Sequence, residues 1–333
     1  MELAYIRLLD PLTQGRLPIY MHIPDGFLNL PSAIAFWCLT MAILTLAVRK
    51  VGAETDERQV PRVGVVAAAI FAAQMLNFPV AGGTSGHLLG GTLAAVILGP
   101  WAGMLAMTAV IGLQGLLFQD GGLVVMGANI FNMGIVTVLV GYGLTSAVAG
   151  RGHRPRLWVA GMAGWISVMA AALCASIQIA SSGLAAPTVI FPAMLGVHAL
   201  IGVGEALLTI GALRFIAAAR PELLAGTRGQ AAGSIGWVVV GLMLALATTL
   251  LSPWASRNPD GLMKVAGNLD LMRRVQPGLG GPLAGYVLPG FGETALSKVA
   301  AGMVGVLVVF VVTRGIYVLT HRTGVKLQTS ARS

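Results

Sequence analysis

The sequence predicts an all-α membrane protein, and three observations carry that expectation. Of 333 residues, 56% are hydrophobic and only 10% charged, against roughly 25% charged in a soluble domain. Apolar runs recur at about the length a helix needs to cross a bilayer, roughly 20 residues, with shorter runs tolerable where they are buried. Basic residues sit in short clusters beside those runs, so the formal charge of +9 reads as membrane orientation and not as a nucleic-acid footprint. Glycine is abundant at 45 residues and aromatics are sparse at 6%, which suits helices whose backbones approach over small side chains.

Residues 1–20 contain Glu2, Arg7, Asp10 and Arg16, with no apolar core for a signal peptide and no small-residue cleavage site. They form either a short extracytoplasmic arm or an extension ahead of a true start at Met21. Helices are expected near 31–49, 63–78, 87–98, 101–118, 128–149, 158–180 and 188–218, and two more near 235–251 and 297–319. The third run ends at Gly99-Pro100 and must be a buried or broken helix, because irregular backbone at membrane depth has to be shielded by protein. Pro221, Gly226, Gly229 and Gly233 interrupt the apolar pattern and mark a boundary between a seven-helix body and a two-helix appendage. The expected division is therefore 1–20, 21–218, a linker at 219–234, and 235–333. Cys38 and Cys174 lie inside apolar runs and read as inert core thiols.

Charge sets the expected orientation. Arg49 and Lys50 close the first run and Arg58 and Arg62 precede the second, Arg151, Arg154 and Arg156 follow the fifth, and Arg214, Arg220 and Arg228 lie at and after the end of the seventh. Arg314, Arg322 and Lys326 lie at and after the end of the ninth. With nine spans these clusters share one side, the cytoplasmic one. The segment at Met21, the Gln119–Gly122 turn, the loop at His87 and the polar 252–296 loop then face outward, with the chain's C-terminal end inside. The long outer loop, with Asn258-Pro259-Asp260-Gly261-Leu262, is too polar for the bilayer and is expected to be a small folded or semi-ordered segment.

Two histidines stand out among only five. His22 follows Met21 in Met-His-Ile-Pro-Asp-Gly-Phe, and His87 ends the glycine-rich Ala-Gly-Gly-Thr-Ser-Gly-His stretch, where an exposed loop is expected. A histidine second in a chain with a free amine is a strong chelator. The amine, the amide nitrogen of residue two and the imidazole Nδ1 close two fused rings on one metal ion. Deprotonating the amide needs a cation such as Ni(II), Cu(II) or Co(II), and a fourth nitrogen from His87 completes a planar N4 site of the kind that suits Ni(II) or Cu(II). The plainer alternative is a pair of interfacial histidines bonded to loop backbone.

The stretches MHIPDGFL, QMLNFPVAGGTSGHLLGG, LGPWAG, FQDGGL, GANIFNMG and GVHALIGVGEALLT together resemble the CbiM/NikM family. These are the substrate-binding (S) components of cobalt and nickel energy-coupling factor transporters. The likeness runs from Met21 to about residue 218, and the later NPDGL loop with its flanking helices is similar to the small CbiN/NikN subunit, here fused. The resemblance implies an S-component-like bundle of seven helices plus two more joined by an extracytoplasmic loop. It implies metal held by Met21, His22 and His87, with Ni(II) or Co(II) as transported substrate and no resident cofactor. It further implies a role in cobalt or nickel transport, with a link to cobalamin biosynthesis, in the inner membrane. Its expected partners are a transmembrane (T) subunit of CbiQ/NikQ type, ATPase subunits of CbiO/NikO type, and membrane lipids, with no nucleic acid. The family motif begins its proteins, whereas twenty residues precede Met21 here; left attached, they replace the amine by an amide.

Other polar residues at membrane depth have two readings each. His198 and Glu205 are seven apart and share a helix face, as a hydrogen-bonded pair locking helices or as a relay. Asn77, Asn129 and Asn132 either brace the metal loop or cap helix ends. The methionines read as core filler. No GxxxxGK[ST] phosphate loop occurs, so ATP coupling by that route needs partner subunits. The alternative function is a stand-alone secondary transporter of a divalent transition metal driven by protons through Glu205 and His198. An intramembrane metalloenzyme lacks the His-Glu-x-x-His or paired-carboxylate constellation it needs, so no enzymatic activity is expected.

Overall fold

Within hydrocarbon a helix satisfies its own main-chain groups, and each apolar run becomes one. The structure, a computed structural model, describes residues 21–54, 60–148, 150, 153–224, 235–276, 278 and 280–330. The extension 1–20, the linker from residue 225 to 234, and Arg58, Arg151 and Arg228 lie outside the described residues. In chain order the helices are α1 (Leu30–Glu54), α2 (Val60–Gln74), α3 (Gly91–Leu98), α4 (Pro100–Phe118), α5 (Met126–Ser146), α6 (His153–Ser181), α7 (Pro187–Ala219), α8 (Ile235–Thr249), α9 (Gly261–Asn268) and α10 (Ala295–Ser330).

Seven of these are long and apolar enough to cross a membrane among the described residues, all except α2, α3 and α9. Nine helices were expected, the third of them buried or broken, and the second falls short of a full span as well. Helix α2 stops after 15 residues at Gln74, because Phe78–Val80 turns away into strand β1 and pairs antiparallel with β2 (Thr84–Gly86). Helix α3 has only 8 residues, about 12 Å at 1.5 Å per residue. It is broken from α4 at Gly99, whose φ of 79° and ψ of 176° turn the chain ahead of Pro100. The shielding its short length demands is present: Gly91–Ala95 and Ile97 are all buried.

Small residues set the close approaches. Gly161 on α6 meets Ile210 on α7, and Gly202 on α7 meets Trp165 on α6. The two C-terminal long helices pack on the body in the same manner: Gly241 of α8 lies against Val65, Gly302 of α10 against Met75, and Gly64 of α2 against Phe310 of α10. Cys38 is exposed on the outer face of α1, which corrects its reading as a core thiol; an apolar run that faces lipid looks the same in sequence as one that faces protein.

The end of the bundle where the basic residues gather is tied by Arg62, whose Nη2 donates to the carbonyls of Ile97 and Leu223. This joins α2, the end of α3 and the turn after α7. A cavity of about 220 Å³ opens beside it, between Tyr142, Arg156, Leu213 and Leu224. The polar 252–294 stretch lies at the other end and is folded. It carries α9 and short turns at Leu271–Arg274 and Ala284–Tyr286, and it docks on both histidine-bearing segments.

Candidate metal centre

The Met21–Phe27 segment has no regular structure of its own, so its place is fixed by side chains from elsewhere. The Met21 main-chain N–H donates to Asp120 Oδ1 at 2.7 Å, and Asn129 exchanges two bonds with Ile23, accepting from its N–H at 3.0 Å and donating to its carbonyl at 2.9 Å. Asp25 accepts the main-chain N–H groups of Leu123, Val124 and Val125 at 2.9–3.2 Å. These donors lie in the turn just ahead of α5, which Asp25 therefore clasps. Gly26, at φ 95°, lies against the Arg274 carbonyl, which a Cβ would overlap.

The loop at His87 is held differently. The β1–β2 hairpin turns through Gly82 and Gly83, at φ 78° and 69°. Ser85 donates its N–H to Pro259 O at 2.9 Å and its hydroxyl to Asn258 O at 2.8 Å. Beyond His87, the carboxylate of Glu205, buried on α7, accepts the N–H groups of Leu89 and Gly90 at 2.6 and 3.0 Å. Gln74 donates to Leu89 O at 2.8 Å. Glu205 therefore anchors the residues just after His87 and the start of α3. The expected His198–Glu205 pair does not form: His198 Nδ1 donates to Met194 O at 2.7 Å. Seven residues apart on one helix is two turns, too far for a direct bond, and each group finds backbone closer by.

The two segments meet at a cavity of about 60 Å³ lined by Met21, His22, His87, His198, Asn132 and Asp260 among others, room for a small ion or a few waters. His22 and His87 are 2% and 4% exposed, so His87 is not on an exposed loop; Asp260 and Leu262 line the cavity beside it. The two rings stand edge to face with centroids 6.1 Å apart. An imidazole nitrogen ligates at roughly 2.0–2.1 Å, and one ion can bridge rings at that spacing. His87 Nδ1 lies 2.9 Å from Leu88 O, and His22 Nδ1 lies 2.6 Å from Asp120 O. A carbonyl only accepts, so each Nδ1 carries the proton and each Nε2 the lone pair. His22 Nε2 is buried with no hydrogen-bond partner. The chelate drawn from the sequence uses Nδ1 of His22, and reaching it requires that ring to turn away from Asp120. Among the described residues no three His, Cys, Asp or Glu side chains converge as a metal cluster, so an ion held here by two imidazoles takes its further ligands from other groups.

Sequence reasoning did not single out Asp120, Asp25 or Tyr286. Asp120 is 1% exposed and follows Gln119, whose left-handed φ of 54° ends α4 and turns the chain under Met21. The signal was Asp120-Gly121-Gly122 in a chain with only 12 acidic residues. Gly121, at φ 104°, leaves no side chain where His22 Cβ approaches. Tyr286, from the C-terminal region, donates its hydroxyl to Asp120 Oδ2 at 2.8 Å. Burial, with the Asp120 carboxylate beside it, holds the Tyr286 hydroxyl well above its ordinary pKa, so it remains a donor. The three asparagines divide. Asn129 braces Ile23, Asn132 pairs reciprocally with Gln178 at 2.7 and 2.8 Å, and the Asn77 carbonyl accepts Ser256 N–H at 2.8 Å. Met21, Met133 and Met194 line the cavity.

The bundle defines a multi-pass membrane protein with a small cavity at one end, lined by His22 and His87 among mostly apolar side chains. Residues 22–223 match the family model described as CbiM, the cobalt uptake substrate-specific transmembrane region. The chain belongs to this family, with a NikN-like region fused after the matched part. It is 40% identical to a putative fused nickel transport protein NikMN of Archaeoglobus fulgidus, over 87% of this chain and 95% of that protein. It is 31% identical to the fused nickel transport protein NikMN of Rhodobacter capsulatus, over 91% of this chain and all of that one. A crystal structure of a truncated transition metal transporter superposes with a TM-score of 0.54 at 31% identity, covering 60% of this chain and 99% of that chain. These relatives are transport proteins rather than enzymes.

Proposed function

We propose that this chain is the substrate-capturing membrane subunit of an ATP-driven energy-coupling factor importer for Ni(II) or Co(II). The observation that carries the reading is the convergence of Met21, His22 and His87 on one small cavity, with a buried His22 nitrogen left without a partner. Two imidazoles beside the main-chain nitrogens of Met21 and His22 fit a cation able to take main-chain nitrogen, which points to the d-rich divalent ions. A chain that begins at Met21 supplies an amine there, one that keeps residues 1–20 an amide. Kinship with nickel and cobalt transport proteins supports the same cargo.

The metal cavity faces outward in this reading, since Arg49, Lys50, Arg62, Arg156, Arg214 and Arg220 lie at helix ends away from it and basic ends stay cytoplasmic. Energy then enters from partners, a T subunit of CbiQ/NikQ type and ATPases of CbiO/NikO type. The test is uptake of radioactive Ni(II) by vesicles holding the chain with and without those partners. Alone, the chain is expected to bind metal without hydrolysing ATP, and uptake is expected only with the partners. Uptake by the chain alone that a protonophore abolishes would overturn the reading in favour of a secondary transporter.

A further inference from the structure

Asp120 occupies an unusual position in this network. Its main-chain oxygen receives His22 Nδ1 at 2.6 Å, its Oδ1 receives the Met21 N–H at 2.7 Å, and its Oδ2 receives the Tyr286 hydroxyl at 2.8 Å. One residue thus touches both Met21 and His22, and its remaining oxygen is bonded by the C-terminal region. The Tyr286 ring is itself firmly seated. It stacks on Phe118 with centroids 4.6 Å apart and planes at 23°, and packs against Phe71 at 6.5 Å. Its turn is pinned where Leu283 N–H donates to Leu117 O at 2.8 Å, so the hydroxyl is aimed at the end of α4 by contacts independent of Asp120.

We infer that Tyr286 is a positioning residue for the metal centre: its hydroxyl fixes the Asp120 carboxylate in the orientation that receives the Met21 N–H, and so fixes where the Met21 nitrogen and the His22 ring sit. This rests on the transport reading above and deepens it, because it gives the fused region a part in the metal site beyond covering it. The chemistry is compatible with ligation. An amine at Met21 has a lone pair for the ion and still has hydrogens to donate, so a hydrogen bond to Oδ1 orients the nitrogen without consuming it. Without the hydroxyl, Oδ2 becomes a buried acceptor with no partner, which is costly. The carboxylate then gains by rotating toward another donor and drawing Oδ1 off Met21.

The experiment is Ni(II) titration of the purified chain beginning at Met21, in detergent, comparing the parent with Tyr286→Phe, Asp120→Asn, the double variant and Phe118→Leu, alongside His87→Ala. Tyr286→Phe keeps the stacked ring and is expected to leave the unfolding temperature near the parent's while weakening Ni(II) binding roughly tenfold or more, the scale of a lost hydrogen bond to a charged group. In the Asp120→Asn background the same change is expected to cost little, since residues acting through one another are not additive. Phe118→Leu, which loosens the ring and spares the hydroxyl, is expected to lower thermal stability more than affinity. Parent-like affinity in Tyr286→Phe, an equal loss in both backgrounds, or an equal loss from Phe118→Leu would overturn the positioning role. Should Asp120→Asn not be recoverable, the contrast between Tyr286→Phe and Phe118→Leu decides alone. A parent that binds no Ni(II), or a His87→Ala variant that binds it equally well, would instead sink the transport reading itself.

Discussion

The Met21–Phe27 segment is tied to the molecule by acids and an amide on its outer side, Asp120, Asn129 and its own Asp25 clasping the 123–125 backbone. The loop at His87 is tied on its inner side by Glu205 on α7 and Gln74 on α2, and through Ser85 to the Asn258 and Pro259 carbonyls. The first set of anchors is reached by the C-terminal region through Tyr286 and Gln276, whose N–H donates to Asp25 O at 2.8 Å. The difference lies in which groups hold each half of the proposed site. The bundle half, at His87, is fixed at its inner end by side chains of two helices. The half at Met21 and His22 is held by an acid that the C-terminal region itself bonds through Tyr286.

The largest expected effect comes from the fixed half. His87→Ala is expected to reduce Ni(II) or Co(II) uptake to background with membrane abundance near that of the parent, because removing the ring leaves the Glu205 and Gln74 anchors intact. Uptake by assayed cells near the parent's rate would show that the bundle half supplies no ligand.

A smaller effect on metal and a larger one on stability are expected from Glu205→Ala. It strips the partner from two buried N–H groups, at about 1–3 kcal/mol each, so the purified variant should melt at lower temperature. Its metal affinity should fall through displacement of His87. Glu205→Gln retains an acceptor oxygen and is expected to lose less of both. If instead Glu205→Gln stops uptake while binding metal and melting like the parent, Glu205 has a role in transport that its bonds to Leu89 and Gly90 do not explain, and the comparison of anchors is incomplete.

Much of this architecture was readable in advance. Apolar runs announce helices because the bilayer demands them, and α1 and α4 to α8 lie within a few residues of the runs that predict them. The short α3 was legible from Gly99-Pro100. Less legible was α2, whose apolar run continues through Phe78 although the chain leaves the helix at Gln74. His22 and His87 were legible because imidazoles are rare here. Their anchoring bonds were not: Asp120 to Met21 spans 99 positions and Glu205 to Leu89 spans 116, and an acid that stands out in the sequence does not name the distant backbone it holds. Tyr286 was least legible of all, an aromatic in a polar loop whose direction is set by the left-handed backbone at Gly285 and Tyr286, φ 64° and 60°.

The central claim is that the Met21 nitrogen, His22 and His87 together hold the metal. Its most direct test is intact-mass analysis of native protein combined with metal content and Ni(II) affinity, set beside a chain forced to retain residues 1–20. The account predicts a bound chain beginning Met-His-Ile-Pro, carrying one metal ion. The extended form is expected to bind far more weakly, because acylation by Tyr20 removes the lone pair at Met21. Equally tight binding by a chain that begins at Met1 would contradict it.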